Sequence, residues 1–177
     1  MARLIVFAGL PGVGKSTLAR QVAQRLGAVW LRIDSMDQAI WDSGTAPEDL
    51  RDWTYRAAQA AAQDNLRLGL DVVGDCVNDV EAARAGWEGA ARLSGSSIVW
   101  LEIVCGDKTA HRRRIESRIE DVPGLRTPSW PKVRARAFEP MSRNRFLADT
   151  AGKTVAQSVA ELLGLLEGAR AANCPDP

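Results

Sequence analysis

Residues 7–19 read FAGLPGVGKSTLA, and the first eight of them hold three glycines and a proline. The stretch has no apolar period of its own, whereas both flanks do. Upstream, LIVFA (4–8) is short, continuously apolar and rich in β-branched residues, the pattern of a parallel strand covered on both faces. Downstream, Leu18, Val22 and Leu26 recur at spacings of four and Gly27 supplies a terminator, so a helix is predicted from Lys15.

The loop between them matches G-x-x-x-x-G-K-[ST] at Gly9, Gly14, Lys15 and Ser16, with Thr17 following. Its glycines let backbone N–H groups turn inward around phosphates, and the next helix presents its positive N-terminus to them. The residues expected to cradle a nucleotide are Gly9, Pro11, Gly12, Val13, Gly14, Lys15, Ser16 and Thr17. Lys15 is expected to reach the β- and γ-phosphates of ATP, and the Ser16 hydroxyl to ligate Mg²⁺. A plain glycine-rich turn is the simpler reading, but the strand and helix on either side are the context the phosphate-binding mechanism requires.

Further along, AVWLRI (28–33) reads as a second strand ending at Asp34, LDVVGD (70–75) as a third, SIVWLEIV (97–104) as a fourth and RFLADT (145–150) as a fifth. The alanine-rich stretch from Met36 to Leu70 reads as helical, with a start signal at Thr45, Pro47 and Glu48. Asn78 and Glu81 have capping-box spacing and open a predicted helix through Leu93, ended by Gly95. A basic helix is expected over 107–121, a short one around Val133–Phe138, and a last amphipathic one from Thr154 to about Arg170. The proline- and glycine-punctuated loop after 121 is long enough for a lid. Strands alternating with helices predict an α/β fold, a parallel sheet sandwiched between two helical layers.

The 177 residues and 46% hydrophobic content suit one compact domain, 1–171, with a frayed tail at 172–177. A net charge of +1 supplies no global field toward nucleic acid or an anionic membrane, so an anionic ligand must be held locally. Three cysteines without metal-ligand spacing exclude a disulfide framework or a structural zinc site, and Cys76 and Cys105 read as buried apolar residues. No apolar run approaches the roughly 20 residues of a membrane span. The expected compartment is the cytoplasm.

No Asn-Lys-x-Asp guanine reader occurs, and the third strand ends in Asp75-Cys76 rather than the Asp-Glu of water-activating ATPases. Glu102, inside the fourth strand, is the one carboxylate that keeps such a reading open. Asp75 itself ends a buried strand, where a lone carboxylate is costly. Mg²⁺ or an arginine would satisfy it, and a cap on the following turn is the structural alternative.

Together GLPGVGKST, the RID that ends the second strand, VVGDCVN, RRRIESR and ADTAGKT resemble, in this order, the small P-loop kinases. These are zeta-toxin-like, polynucleotide-kinase-like and gluconate-kinase-like proteins of the AAA-type nucleoside-triphosphate hydrolases. The resemblance implies a five-stranded sheet in the order 2-3-1-4-5, with an acceptor-binding region over about 35–70 and a lid over about 111–131. It implies that Asp34 orients and deprotonates the acceptor hydroxyl, with Asp37 one helical turn later as a weaker alternative; a helix N-cap is the structural alternative for Asp34. Arg114 is implied to stack on adenine and Arg118 to neutralise phosphates in the transition state, the pair sharing one helical face. Against that stands a solvated basic face, and His111, Arg112 and Arg113 are read as surface groups. The DTAGKT loop, with Gly152, is implied to wrap the adenine, and Thr154 reads equally as an N-cap.

The implied activity is transfer of the γ-phosphoryl group of ATP to a hydroxyl of a small molecule. Trp41, Trp53, Tyr55 and Trp130 are available for one or two aromatic walls, while Trp30, Trp87 and Trp100 read as core. A polynucleotide 5′-hydroxyl is the competing acceptor, because Lys132, Arg134, Arg136, Arg143 and Arg145 would suit a phosphate backbone. A nucleotide-binding switch or ATPase acting through a protein partner is the second class. The identity of the acceptor and the oligomeric state are open at the level of sequence.

Overall fold

The computed structural model describes residues 1–46, 52–119, 121–125 and 127–172. The start signal at Pro47 and Glu48 and the tail with Cys174 therefore lie outside the described residues. Twelve elements follow one another: β1 (Arg3–Ala8), α1 (Lys15–Leu26), β2 (Val29–Arg32), α2 (Ile33–Asp42), α3 (Trp53–Arg67), β3 (Val72–Asp75), α4 (Glu81–Leu93), β4 (Ser97–Val104), α5 (Lys108–Glu116), α6 (Trp130–Ala135), β5 (Phe146–Asp149) and α7 (Val155–Ala172). The strands pair in parallel in the order β2-β3-β1-β4-β5. This is the expected α/β sandwich and the expected strand order.

Alternation along the central strand organises both layers. Leu4, Val6 and Ala8 pack toward Ala58, Ala62 and Leu66 of α3 and Trp87 and Ala91 of α4. Ile5 and Phe7 face the opposite way, onto Leu18 and Val22 of α1 and Leu162 and Leu166 of α7. Each fully buried aliphatic side chain of this kind contributes about 1.5–3 kcal/mol by leaving water. A strand covered on both faces must be apolar at every position, which is why LIVFA carries no polar residue.

Helix α1 runs from Lys15 to Leu26 and closes on Gly27 in the left-handed conformation (φ 62°), as predicted. Thr154 caps α7: its hydroxyl accepts from Gln157 N–H at 3.2 Å, and the Gln157 amide oxygen accepts from Thr154 N–H at 2.9 Å.

Other local expectations give way to tertiary contacts. Ile33 belongs to α2 rather than to β2, so the second strand turns into helix at once. Asn78 caps no helix. It adopts a left-handed backbone (φ 53°), donates its amide to Phe7 O at 2.8 Å and accepts from Trp87 Nε1 at 3.1 Å. The start of α4 is served instead by Glu139, whose carboxylate accepts from Glu81 N–H at 2.6 Å. The basic segment is helical only to Glu116, where the Ser117 hydroxyl bonds back to Arg113 O at 2.7 Å. The following short helix lies at Trp130–Ala135, earlier than expected. Cys76 is buried as expected, but Cys105 is only half-buried.

Among the described residues no helix is long and apolar enough to cross a membrane.

Candidate active site

Parallel strands deliver their carboxyl ends to one edge of the sheet, and a crevice forms there where the order reverses. Here β1 runs into the glycine loop, β3 ends at Asp75 and β2 leads through Arg32 into Asp34. Register places Phe7 and Arg32 on either side of Asp75. The outcome is a cleft of about 780 Å³ whose walls include the residues from Pro11 to Leu18 together with Asp34, Asp37, Arg114, Arg118 and Thr150.

The loop backbone leaves no room for side chains where it turns. Gly9 has φ 136°, and a Cβ there would lie 2.2 Å from Ile103 O. Gly12 has φ 82°, with Ile115 Cδ1 2.4 Å from where its Cβ would be. Braces from three elements hold the loop. Gly9 N–H donates to Val77 O at 3.0 Å, His111 Nε2 lies 2.7 Å from Pro11 O, and the Thr150 hydroxyl is 2.9 Å from Val13 O. Arg114 fixes Thr150 in turn, donating to its Oγ1 at 2.7 Å and its carbonyl at 3.0 Å.

His111 is thus not a surface group. It is buried, packed edge-on against Trp130 with ring centroids 5.0 Å apart, on the inner face of α5 together with Ile115. The surrounding run of arginines suggests a solvated face, but the face opposite Arg112 and Arg113 carries the contact.

Electrostatics concentrate around Lys15. Burial lowers its ammonium below the usual lysine range, against the pull of Asp75 and Asp34. Burial likewise raises the Asp75 carboxyl, opposed by Lys15 and by the hydroxyl of Ser16, which donates to Asp75 Oδ1 at 3.1 Å. Asp75 Oδ2 is buried without a hydrogen-bond partner among the described residues. A hydroxyl and an orphaned carboxylate oxygen side by side at a phosphate loop fit Mg²⁺, a cation that takes one or two protein ligands and completes its shell with phosphate and water. Among the described residues no group of three or more His, Cys, Asp or Glu suits a metal.

Asp34 sits in the first turn of α2, half-buried, and lines the cleft. The N-cap position belongs to Arg32, which removes the capping alternative for Asp34. Asp37 lines the same wall one turn later, its carboxyl raised by burial against the opposing effect of the Thr54 hydroxyl, with the neighbouring charge of Asp34 adding to the rise. Arg118 also reaches the cleft, from irregular chain beyond the end of α5 rather than from one helical face shared with Arg114. Gly152 lies in an exposed turn (φ 68°) after β5 and is not among the cleft-lining residues, whereas Lys153 is.

Of the aromatic candidates, Trp41 and Tyr55 line the cleft, Trp53 is exposed and Trp130 packs on His111. Trp87 and Trp100 are core, and Trp30 is half-buried against it.

Sequence reasoning missed a charged pair that lines the cleft. Arg32, 6% exposed, donates through both terminal nitrogens to Asp121 at 2.8 and 2.9 Å, joining the sheet edge to the segment expected to act as a lid. The partners stand 89 positions apart, so no local pattern announces them. The basic stretch proposed for polynucleotides is largely spoken for. Arg136 pairs with Asp79, Arg143 with Glu81 and Glu88, and Arg145 with Glu102. The last pair also occupies Glu102, the carboxylate that had kept a water-activating reading open.

Several solved structures with the same arrangement are kinases by description. A candidate kinase from Chloroflexus aurantiacus j-10-fl superposes with a TM-score of 0.74 at 19% identity, covering 94% of this chain and 97% of its own. The APS kinase CysC of Mycobacterium tuberculosis, in complex with AMPPNP and APS, gives 0.67 at 20% identity, covering 94% and 98%. A gluconokinase from Sinorhizobium meliloti 1021 gives 0.59 at 18%, covering 96% and 97%. No curated protein matches the sequence. The fold is that of the P-loop kinases. Residues 4–145 match the AAA domain family designated AAA_33, and with most of its length inside that match the chain belongs to this family.

Proposed function

We propose that the protein is an ATP-dependent phosphotransferase that moves the γ-phosphoryl group of ATP to a hydroxyl of a small molecule. The observation that carries the reading is the union, in one cleft, of the phosphate loop with Asp34 and Arg118. A protein that only bound nucleotide would need the loop but not a carboxylate and an arginine facing it. The kinase descriptions of the similar structures support the same reaction class. A single domain over 1–171 performs it, with 35–70 as acceptor region and 111–131 as lid.

In this mechanism the loop from Gly9 to Thr17 holds the β- and γ-phosphates through backbone N–H groups, and Lys15 neutralises them. Gly152 belongs to the turn beside the adenine, and Arg114 borders the base while bracing the loop through Thr150. Ser16 and Asp75 would hold Mg²⁺, which would supply charge neutralisation to the phosphates. Asp34 orients the acceptor hydroxyl and takes its proton as the new O–P bond forms. The bond from Pγ to the β–γ bridging oxygen breaks, and ADP leaves with that electron pair. Arg118 balances the charge that spreads over the equatorial phosphoryl oxygens.

The test is a screen of small alcohols and 5′-hydroxyl oligonucleotides for acceptor-dependent ADP release with Mg²⁺ and ATP. A small alcohol that raises ADP release and recovers the phosphate as its ester supports the proposal. Exclusive response to oligonucleotides makes the acceptor a polynucleotide. ADP release that no acceptor alters, with free phosphate as product, makes the protein an ATPase.

A further inference from the structure

The acceptor half of the cleft has a charge pattern that selects its ligand. It is bounded by Asp34, Asp37, Trp41 and Tyr55 on the side of α2 and α3, and by Arg32 and Arg136 elsewhere. Both of these arginines are already engaged. Arg32 is buried and held by both oxygens of Asp121, and Arg136 is 2.6 Å from Asp79. Bidentate arginine–carboxylate pairs are among the stronger charge-assisted contacts, and a partner on the same chain competes at an effective concentration that a free metabolite rarely reaches. An anionic acceptor on the side of α2 and α3 would have to displace a tethered carboxylate from Arg32 or Arg136. The other cations lining the cleft, Lys15, Arg20, Arg114, Arg118 and Lys153, come from α1, from α5 and the chain just beyond it, and from the turn after β5, the side given to the nucleotide in the proposed function.

The carboxylates of α2 are in the opposite condition. Asp34 and Asp37 stand three residues apart, on the same side of the helix, and neither forms an ion pair among the described residues. Like charges at this spacing repel, and partial burial sharpens the repulsion. Asp34 is occupied by the acceptor hydroxyl in the proposed reaction, which leaves Asp37 without a stated duty. Trp41 and Tyr55 line the same cleft and add aromatic surface, which is apolar and attracts a cation.

We infer that the phosphoryl acceptor is an amino alcohol with an apolar or aromatic body, its ammonium held by Asp37 and its hydroxyl presented to Asp34, and that acids and phosphorylated alcohols are excluded. The inference rests on the kinase reading above and adds to it the class of acceptor. Asp37 is then a specificity-determining residue. Asp121 supports it indirectly, by keeping Arg32 from offering a site to anions.

Three aryl alcohols that share one skeleton separate the possibilities: 2-amino-1-phenylethanol as cation, 1-phenyl-1,2-ethanediol as neutral analogue and mandelate as anion. Binding to the complex with Mg²⁺ and AMPPNP is measured by titration calorimetry. The amine is expected to bind at least tenfold more tightly than mandelate, with the diol between. Asp37→Asn removes the preference for the amine over the diol while AMPPNP affinity is unchanged, which shows that the variant is folded. Asp121→Asn tightens mandelate binding severalfold by releasing Arg32. Mandelate binding as tightly as the amine, or an amine preference that survives Asp37→Asn, overturns the inference and leaves the kinase reading standing. Failure of all three to bind while AMPPNP binds overturns the apolar-body assignment. Failure of AMPPNP itself to bind overturns the kinase reading and this inference with it.

Discussion

The two ends of the cleft are built differently. At the proposed phosphate end the wall is the glycine loop, and its backbone is clamped: Gly9 to Val77 and Ile103, Pro11 to His111, Val13 to Thr150 and through it to Arg114. At the acceptor end the walls are side chains from separate elements, joined across the opening by Arg32 and Asp121. A triphosphate is the same chemical group whatever the acceptor, so a fixed main-chain cradle suits it, and few residue types can occupy such a loop. An acceptor varies between proteins, and a wall of exchangeable side chains accommodates that variation without disturbing the sheet.

That contrast can be broken by substitution, and the largest effect belongs to the phosphate end. Lys15→Ala is expected to abolish ATP binding or turnover, measured by AMPPNP titration and ADP release. Retained tight binding would show that the cradle works without its buried ammonium. Arg118→Ala should lower the chemical rate by about 10³ with ATP affinity held, as removal of a charge-balancing arginine does in phosphoryl transfer. A single-turnover measurement reads this, and an unchanged rate counts against the role.

Smaller effects probe how firmly each end is supported. Asn78→Ala strips partners from Phe7 O and Trp87 Nε1 behind the loop, and it should cost about 2–3 kcal/mol in denaturant unfolding. The acceptor end is less deeply anchored, because Asp121 is 56% exposed. Hydrogen bonds from Arg32 hold the Asp121 carboxyl below the usual carboxylate range. Its folded value is depressed relative to the unfolded chain, so the stability it contributes is fully present above the unfolded value and is lost as pH falls through the folded one. Asp121→Asn should therefore flatten the acid limb of the stability curve and leave neutral-pH ATP binding intact. An unchanged acid limb would mean that the pair holds nothing in solution.

The same contrast explains what the sequence reveals. Strands β1 and β4, helix α1 and the phosphate loop are written in contiguous residues, and their signals are local: apolar runs, glycine positions, a lysine and a hydroxyl in series. The Thr154 cap is legible for the same reason, with Gln157 three residues on. Asn78 carries a cap-like spacing too, yet its amide is claimed by Phe7, 71 positions away, and the cap passes to Glu139. His111 hides in a basic run because only the fold decides which face of α5 meets the loop. The spacing of Arg114 and Arg118 suggests one helical face, but the Ser117 hydroxyl ends the helix between them. Arg32 with Asp121 and Arg84 with the carbonyls of Asn78, Glu139 and Pro140 are contacts between distant segments, set by topology and invisible to periodicity.

Where the two ends meet stands Asp34, which in the proposed mechanism makes the difference between holding ATP and spending it. The most direct measurement compares the native protein with Asp34→Asn for ADP release driven by the best acceptor of the screen, with AMPPNP affinity measured in parallel. Loss of a general base predicts a fall of about 10²–10⁴ in the acceptor-dependent rate with nucleotide affinity unchanged. Full acceptor-dependent activity in the variant would contradict the assignment of Asp34 and, with it, the proposed mechanism.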